Sequence, residues 1–122
     1  MMTTQQVADR YYEMAQQNKW MEIQDELYSQ DIVNKEPEHA IAMGIPTLTK
    51  GLNAVKAKGE ARRAMMEALH SQECSAPVIG GKYFSMSMSR EVTFKGKPRM
   101  RLEEIAVFEV QDDKIISEQF FY

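Results

Sequence analysis

Hydrophobic and polar residues alternate along the second half of the chain. Between residues 83 and 95, the even positions are apolar apart from Arg90, and the odd positions are polar apart from Tyr83. A repeat of two over this length predicts a long β-strand with one buried and one solvated face. Similar patterns predict strands at residues 72–79, 99–111 and 114–122. Because glycine, proline and aspartate separate these segments, we predict tight turns and an antiparallel meander of four strands.

The first half of the chain shows helical spacing instead. Thr3 and Gln6 form a Thr-x-x-Gln capping box, which marks the start of a helix. Trp20, Ile23 and Leu27 then lie on one face of a second helix. The predicted elements are helices at residues 3–17, 19–30 and 51–70, a short strand at 31–37 and an irregular connector at 38–50. Helices followed by a meander indicate an α+β domain with the helices on one face of the sheet.

Length and composition narrow the function classes. With 122 residues the chain is long enough for one core, and we expect residues 1–122 to form a single domain. A net charge of −3 without a basic cluster argues against nucleic-acid and anionic-membrane partners. The polar N-terminus and the lack of a long apolar run argue against a signal peptide or membrane span. Since the single Cys74 cannot form an internal disulfide, we expect a cytoplasmic protein.

Two passages resemble the SnoaL-like branch of the NTF2-like superfamily, which also contains ketosteroid isomerases and scytalone dehydratases. They are WMEIQDELYSQDIVNKEP at residues 20–37 and IAVFEVQDDKIISEQFFY at residues 105–122. The order of predicted elements also matches that family along nearly the whole chain. The resemblance implies a cone-shaped domain, with three N-terminal helices packed on a curved antiparallel sheet. It also implies a pocket between the helices and the concave face of the sheet, and a homodimer.

The resemblance also suggests catalytic residues. Glu36, just before Pro37, stands where the isomerases carry a general-base aspartate, and Tyr12 stands where they carry an oxyanion-stabilising tyrosine. The second acid of the isomerases and the acid-base aspartate of the polyketide cyclases both fall near Ala106, which cannot exchange a proton. Glu104 is the nearest carboxylate of the same parity. The base and one donor therefore have counterparts in this chain, and the second acid does not.

Several further residues are candidates for the pocket lining. The candidates are Glu104, His39, Trp20, Met86, Met88, Phe108, Glu118 and Phe120. Glu104 either lines the pocket, forms an ion pair with Arg90 or Arg101, or lies beyond a β-bulge, and we favour the ion pair. His39 either lines the rim of the pocket or lies on a surface loop, and we favour the surface. No metal site or cofactor is expected, because no third ligand accompanies Glu36 and His39 and no phosphate-binding loop is present.

Two interpretations of the function remain open. In the first, the chain is a cofactor-independent isomerase- or cyclase-type enzyme for a small apolar carbonyl compound, with Glu36 as base and Tyr12 as donor. In the second, it is a non-catalytic ligand-binding or dimerisation module that buries its open sheet face against a second copy. Which parity of strand 99–111 faces inward is also open, because one bulge would reverse it.

Overall fold

The computed structural model describes residues 1–122 and contains three α-helices and seven strands. The helices are α1 (Thr4–Gln16), α2 (Trp20–Leu27) and α3 (Leu52–Ala64), and Glu38–Met43 forms a short 3-10 helix. The strands are β1 (Tyr28–Lys35), β2 (Leu48–Lys50), β3 (Met66–Cys74), β4 (Val78–Gly80), β5 (Tyr83–Phe94), β6 (Met100–Gln111) and β7 (Lys114–Phe121). None of the helices is long and apolar enough to cross a membrane.

The strands form one open sheet in the order β2-β1-β7-β6-β5-β3, with β4 also paired to β5. The predicted meander is confirmed, since β5, β6 and β7 are consecutive antiparallel neighbours. The sheet is not wholly antiparallel, because β1 runs parallel to β7. This parallel pair places the end of β1 beside the end of the chain, which the meander alone did not predict.

Two predicted helices end earlier than their spacing suggested. The second helix stops at Leu27, and β1 begins at Tyr28. The third helix stops at Ala64 rather than at residue 70, and β3 takes up residues from Met66 onward. In both places pairing with a distant strand outweighs local helical spacing: β3 forms a long antiparallel ladder with β5.

The strand predicted at residues 72–79 is also interrupted. Its first part is the end of β3 and its last part is β4, with a short gap that contains Pro77. Proline has no backbone N–H for the ladder, so the strand breaks there. Both parts still pair with β5, and the order of the sheet is unaffected.

The inner face of the sheet carries the even positions of β5 and β6. Phe84, Met86, Ala106 and Phe108 are each at most 1% exposed. Helix α1 covers them, and the Tyr11 ring lies 4.8 Å from the Phe108 ring between centroids. The even parity of the strand predicted at 99–111 therefore faces the core, which places Glu104 on the inner side as well.

Candidate functional site

A cavity of about 310 Å³, partly open to solvent, lies between the helices and the inner face of the sheet. This volume is at the lower end of the range for ligand pockets, about 300–1,000 Å³. Of its 21 lining residues, nine are hydrophobic. The charged ones are Glu36, Lys58, Arg62, Arg63, Glu73, Arg90, Glu104 and Glu118. The lining therefore carries more charged side chains than the small apolar compound expected from the sequence would need.

Glu36 lies just after β1 and lines the cavity with both carboxylate oxygens occupied. Lys58 of α3 forms an ion pair with its Oε2 at 3.1 Å, and the two side chains are 7% (Glu36) and 19% (Lys58) exposed. The hydroxyl of Tyr122 donates to its Oε1 at 2.8 Å. Burial and the Glu36 carboxylate raise the pKa of Tyr122, so the phenol remains a donor at neutral pH. Glu36 is thus held by one cation and one neutral donor.

Glu118 is a second carboxyl group in the lining and is almost fully buried. Asn34 donates from Nδ2 to its Oε1 at 3.0 Å, and Tyr28 donates its hydroxyl to Oε2. Burial raises the pKa of Glu118, and the two hydrogen bonds partly offset this effect. Burial and the nearby Glu118 charge also raise the pKa of Tyr28. The phenol therefore stays protonated and continues to donate.

Lys58 joins these two carboxyl groups into one chain of contacts, because its Nζ also donates to Asn34 Oδ1. We call this chain the paired network. Its members are Tyr28, Asn34, Glu36, Lys58, Glu118 and Tyr122. Strand parity and pairing explain its position. Asn34 follows buried Ile32 on the inner face of β1 and lies opposite Glu118 in the parallel ladder. Each polar member is satisfied by another, as buried polar groups require.

A second group of charges in the cavity lacks such partners. The side chains of Arg62, Arg90 and Glu104 form neither a hydrogen bond nor an ion pair within the protein, and we call these three residues the open cluster. The Nε of Arg62 is buried without a hydrogen-bond partner. Burial and the like charge of Arg62 lower the pKa of Arg90. Burial raises the pKa of Glu104, and the Arg90 charge partly opposes that rise.

Glu104 and Arg90 are diagonal neighbours on the inner face of the sheet, and no ion pair joins them. Glu104 lies opposite Met88, whereas Arg90 lies opposite Leu102, one pleat away. The guanidinium of Arg62 lies over the Phe94 ring, 5.7 Å from its centroid. The ion pair expected for Glu104 with Arg90 or Arg101 is therefore wrong. Arg101 is on the outer face of β6 and pairs with Glu103.

The structure brings six of the ten predicted site residues into the cavity lining. These are Glu36, Trp20, Met88, Glu104, Glu118 and Phe120. Met86 and Phe108 lie in the core beneath the lining. His39 is exposed in the 3-10 helix, as favoured from the sequence, and its ring contacts the Tyr122 ring. Tyr12 packs against the edge of the core, and its neighbour Tyr11 lines the cavity instead.

Sequence reasoning missed most of the partners that define the site. They are Tyr11, Tyr28, Asn34, Lys58, Arg62 and Tyr122, and Arg90 was considered only as an ion-pair partner of Glu104. A signal was available for three of these residues. Tyr11 shares a helical stripe with Val7 and Met14, Asn34 shares the parity of Ile32, and Arg90 interrupts the apolar parity of β5. The remainder depend on the parallel β1–β7 pair and on the position of α3. The chain contains no group of three or more His, Cys, Asp or Glu side chains placed to hold a metal ion, so we assign no metal ligands.

Comparison with known proteins agrees with this architecture. The model of the SnoaL-like domain family matches residues 2–122. A Mesorhizobium loti protein, described as a proposed SnoaL-like polyketide cyclase, is 23% identical; the alignment covers 99% of this chain and 100% of that one, with a TM-score of 0.91. An NTF2-like protein of unknown function from Burkholderia pseudomallei is 14% identical, with coverages of 99% and 92% and a TM-score of 0.78.

A third similar structure is that of TerC co-crystallised with polyporic acid. It is 14% identical, with coverages of 98% and 92% and a TM-score of 0.77. At these identities the structural likenesses show the fold alone. No curated protein sequence matches the chain. Because the family model spans nearly every residue, the chain belongs to the SnoaL-like domain family.

Proposed function

We propose that this SnoaL-like domain binds a small carbonyl compound in its cavity and transfers a proton on it without a cofactor, as an isomerase- or cyclase-type enzyme. The observation that carries the proposal is the state of Glu104. Its carboxyl group lines the cavity, has a pKa raised by burial, and has no partner within the protein. A carboxyl group in this state can exchange a proton with a bound molecule.

The chemistry favours Glu104 over the other two carboxyl groups. A general acid or base works best when its pKa lies near the working pH, and burial moves a carboxyl group in that direction. Glu36 and Glu118 accept hydrogen bonds on both oxygens. We therefore assign Glu36, the base suggested by the family resemblance, to holding Lys58 in place.

A donor is needed to stabilise the enolate that forms when a proton leaves the carbon next to a carbonyl group. Tyr11 is the tyrosine of α1 that lines the cavity, and burial raises the pKa of its hydroxyl. We assign the donor role to Tyr11. Tyr12, which the resemblance suggested, faces the edge of the core and is a matched control.

Deuterium exchange tests the proposal directly. Small aryl and cyclic ketones would be incubated with the protein in D₂O, and loss of the α-proton signal would be followed by NMR. We expect catalysed exchange by the wild type and a loss of roughly 10²- to 10⁴-fold in Glu104→Gln, the range for removal of a general acid or base. The matched control is Glu103→Gln, since Glu103 is the preceding residue of β6 and lies on its outer face.

Exchange that persists in Glu104→Gln would overturn the assignment of the base, and no exchange with any ketone would overturn the proposed activity. The same assay separates the two tyrosines. Tyr11→Phe should slow exchange while Tyr12→Phe should leave it unchanged, because only Tyr11 lines the cavity. The reverse order would restore Tyr12 as the donor.

A second function, as a dimerisation module, is favoured by the outer face of the sheet. Ile105 and Phe121 lie opposite each other across β6 and β7 and are 45% (Ile105) and 50% (Phe121) exposed. A second copy covering this pair would bury apolar surface that water now contacts. Analytical ultracentrifugation of the wild type and Ile105→Glu tests this. A dimer that dissociates in the variant supports it, and a monomeric wild type contradicts it.

A further inference from the structure

The open cluster raises the question of what its two arginines bind. Arg62 and Arg90 come from different elements, α3 and β5, and both line the cavity. Neither has an acceptor within the protein, and the Nε of Arg62 is shut off from water as well. Buried cationic groups are ordinarily paired or hydrogen-bonded, since an unpaired charge in such a place is costly.

The position of Arg62 at the end of α3 accounts for only part of this arrangement. A cation in the last turn of a helix is favoured by the helix dipole, and Arg62 and Arg63 both lie there. Arg63 obtains the same benefit while remaining exposed. The dipole therefore does not explain why Arg62 turns over Phe94 into the cavity, where it raises the cost of the Arg90 charge.

We propose that the two arginines bind the carboxylate group of the ligand, so that the compound handled by this domain is a small organic acid. The inference rests on the proposed function, because it names the substrate class for the same cavity. A guanidinium group presents a planar fork of donors that matches a carboxylate, often through two parallel hydrogen bonds. A carboxylate between Arg62 and Arg90 would supply acceptors for both and relieve their mutual repulsion.

The charges that line the cavity favour an anionic ligand. The lining carries four cations, Lys58, Arg62, Arg63 and Arg90, and four acids, Glu36, Glu73, Glu104 and Glu118. Lys58 is paired with Glu36, whereas Arg62 and Arg90 have no such partner. Burial raises the pKa of Glu104 and Glu118, which weakens the negative charge that these two acids set against the arginines. An anion would replace that charge, and the nine hydrophobic residues of the lining favour a carboxylate on an apolar body over inorganic phosphate.

The remaining lining is suited to the rest of such a molecule. Met88 lies across the ladder from Glu104, and Phe120 lies opposite Ala106 on the next strand. Both line the cavity. The carboxylate would bind at the arginines and an apolar body would contact Met88 and Phe120. In this orientation Glu104 lies beside the part of the ligand that joins its carboxylate to its apolar body.

Trp20 provides a direct readout, because it is the only tryptophan and lines the cavity. Benzoate would be titrated into the wild-type protein while Trp20 fluorescence is recorded, with calorimetry as a second measurement. Benzamide serves as the neutral ligand of similar shape, and inorganic phosphate as the competing anion. We expect saturable binding of benzoate and at least tenfold weaker binding of benzamide and phosphate. Equal binding of benzamide, or tighter binding of phosphate, would overturn the carboxylate site.

Variants identify the residues that are responsible. Arg62→Gln and Arg90→Gln should each weaken benzoate binding at least tenfold. Arg62→Lys and Arg90→Lys should have affinities between those of the wild type and the Gln variants, because lysine retains the charge but lacks the planar fork of guanidinium donors. Arg99→Gln is the matched control, since Arg99 is exposed and pairs with Glu91 outside the cavity. Circular dichroism would verify that each variant is folded. Wild-type affinity in folded Arg62→Gln and Arg90→Gln would overturn the inference.

The results also separate this inference from the proposed activity. Binding of benzoate through the arginines, without deuterium exchange in any ketone or oxo acid, would support the carboxylate site and contradict proton transfer. Exchange in neutral ketones by a protein that does not bind benzoate would support proton transfer and contradict the carboxylate site. Levulinate and its methyl ester complete the comparison in the exchange assay. The account predicts faster exchange for the acid, and faster exchange for the ester would contradict the carboxylate site.

Discussion

The paired network and the open cluster are neighbouring parts of one cavity, yet they treat their charges in opposite ways. In the paired network, Lys58 satisfies both Asn34 and Glu36, and each carboxyl group there has two donors. In the open cluster, two arginines and Glu104 line the same space without any such contact.

The contrast suggests two roles for the charges in the cavity. Those of the paired network stabilise the fold, and those of the open cluster are available to a ligand. A satisfied network fixes the end of β1, α3 and the last strand relative to one another, because its contacts join β1 both to α3 and to β7. Unsatisfied charges lower stability and persist where they have another use. We therefore expect substitutions in the two groups to change stability in opposite directions.

The largest expected effect is in the paired network. Lys58→Met removes its only cation and leaves the Glu36 carboxylate buried and uncompensated. Removal of one partner from a buried pair costs about 3 kcal/mol or more in the free energy of unfolding. Urea denaturation would measure the loss. Lys56→Met is the control, because the pair of Lys56 with Asp25 is exposed and is worth at most about 1 kcal/mol. Equal losses in the two variants would contradict the role of Lys58.

The pH dependence of stability gives the second effect. Burial raises the pKa of folded Glu118 above its ordinary value of 4.5, so between these two pKa values the native state binds more protons than the unfolded state. Stability from this group is then present below pH 4.5 and is lost as the pH rises through the folded pKa. The slope is at most about 1.4 kcal/mol per pH unit for one proton.

Glu118→Gln should remove the part of the loss of stability with rising pH that comes from Glu118. Thermal unfolding from pH 4 to pH 8 would be compared for wild type and variant, with Glu109→Gln as the control, since Glu109 is half-buried on the outer face and pairs with Lys82. Glu104 contributes a decline of the same sign in both proteins, so only the difference between the two curves is informative. Parallel curves would show that Glu118 is not protonated more readily in the native state.

The smallest effect, and one of opposite sign, is in the open cluster. Arg90→Met keeps much of the side-chain volume and removes a partly buried charge that repels Arg62. We expect the free energy of unfolding to rise by about 1 kcal/mol, as when buried charges are replaced by apolar residues. Urea denaturation alongside Lys58→Met would measure both signs in one series. A loss above 1 kcal/mol in Arg90→Met would mean that Arg90 holds the fold together and is not free for a ligand.

Sequence patterns predicted the elements of the fold better than the partners within the site. The period of two in β5 and β6 and the capping box at Thr3 are local signals, and the structure confirms both. The boundary between α3 and β3 was missed because helical spacing continues through residue 70, whereas the ladder with β5 decides the outcome. A local residue pattern contains no information about pairing with β5, which lies about twenty residues further along the chain.

The site itself was predicted in part for the same reason. Glu36 and Glu118 could be singled out as carboxyl groups, but their partners lie on other elements. Lys58 approaches from α3, and Tyr122 reaches Glu36 only because β7 runs parallel to β1. Helical spacing does place Tyr11 on the inner face of α1, because Tyr11 shares a stripe with Val7 and Met14 and all three are buried. Tyr12 was suggested by the family resemblance instead.

A pH titration of the Glu104 carboxyl group by NMR tests the central claim most directly. The account predicts a midpoint above the ordinary value of 4.5 in the wild type, because burial raises the pKa. It predicts a still higher midpoint in Arg90→Met, because the Arg90 charge now opposes that rise. A midpoint at or below 4.5 that does not respond to Arg90 would show a solvated Glu104, and both the open cluster and the proposed proton transfer would then be wrong.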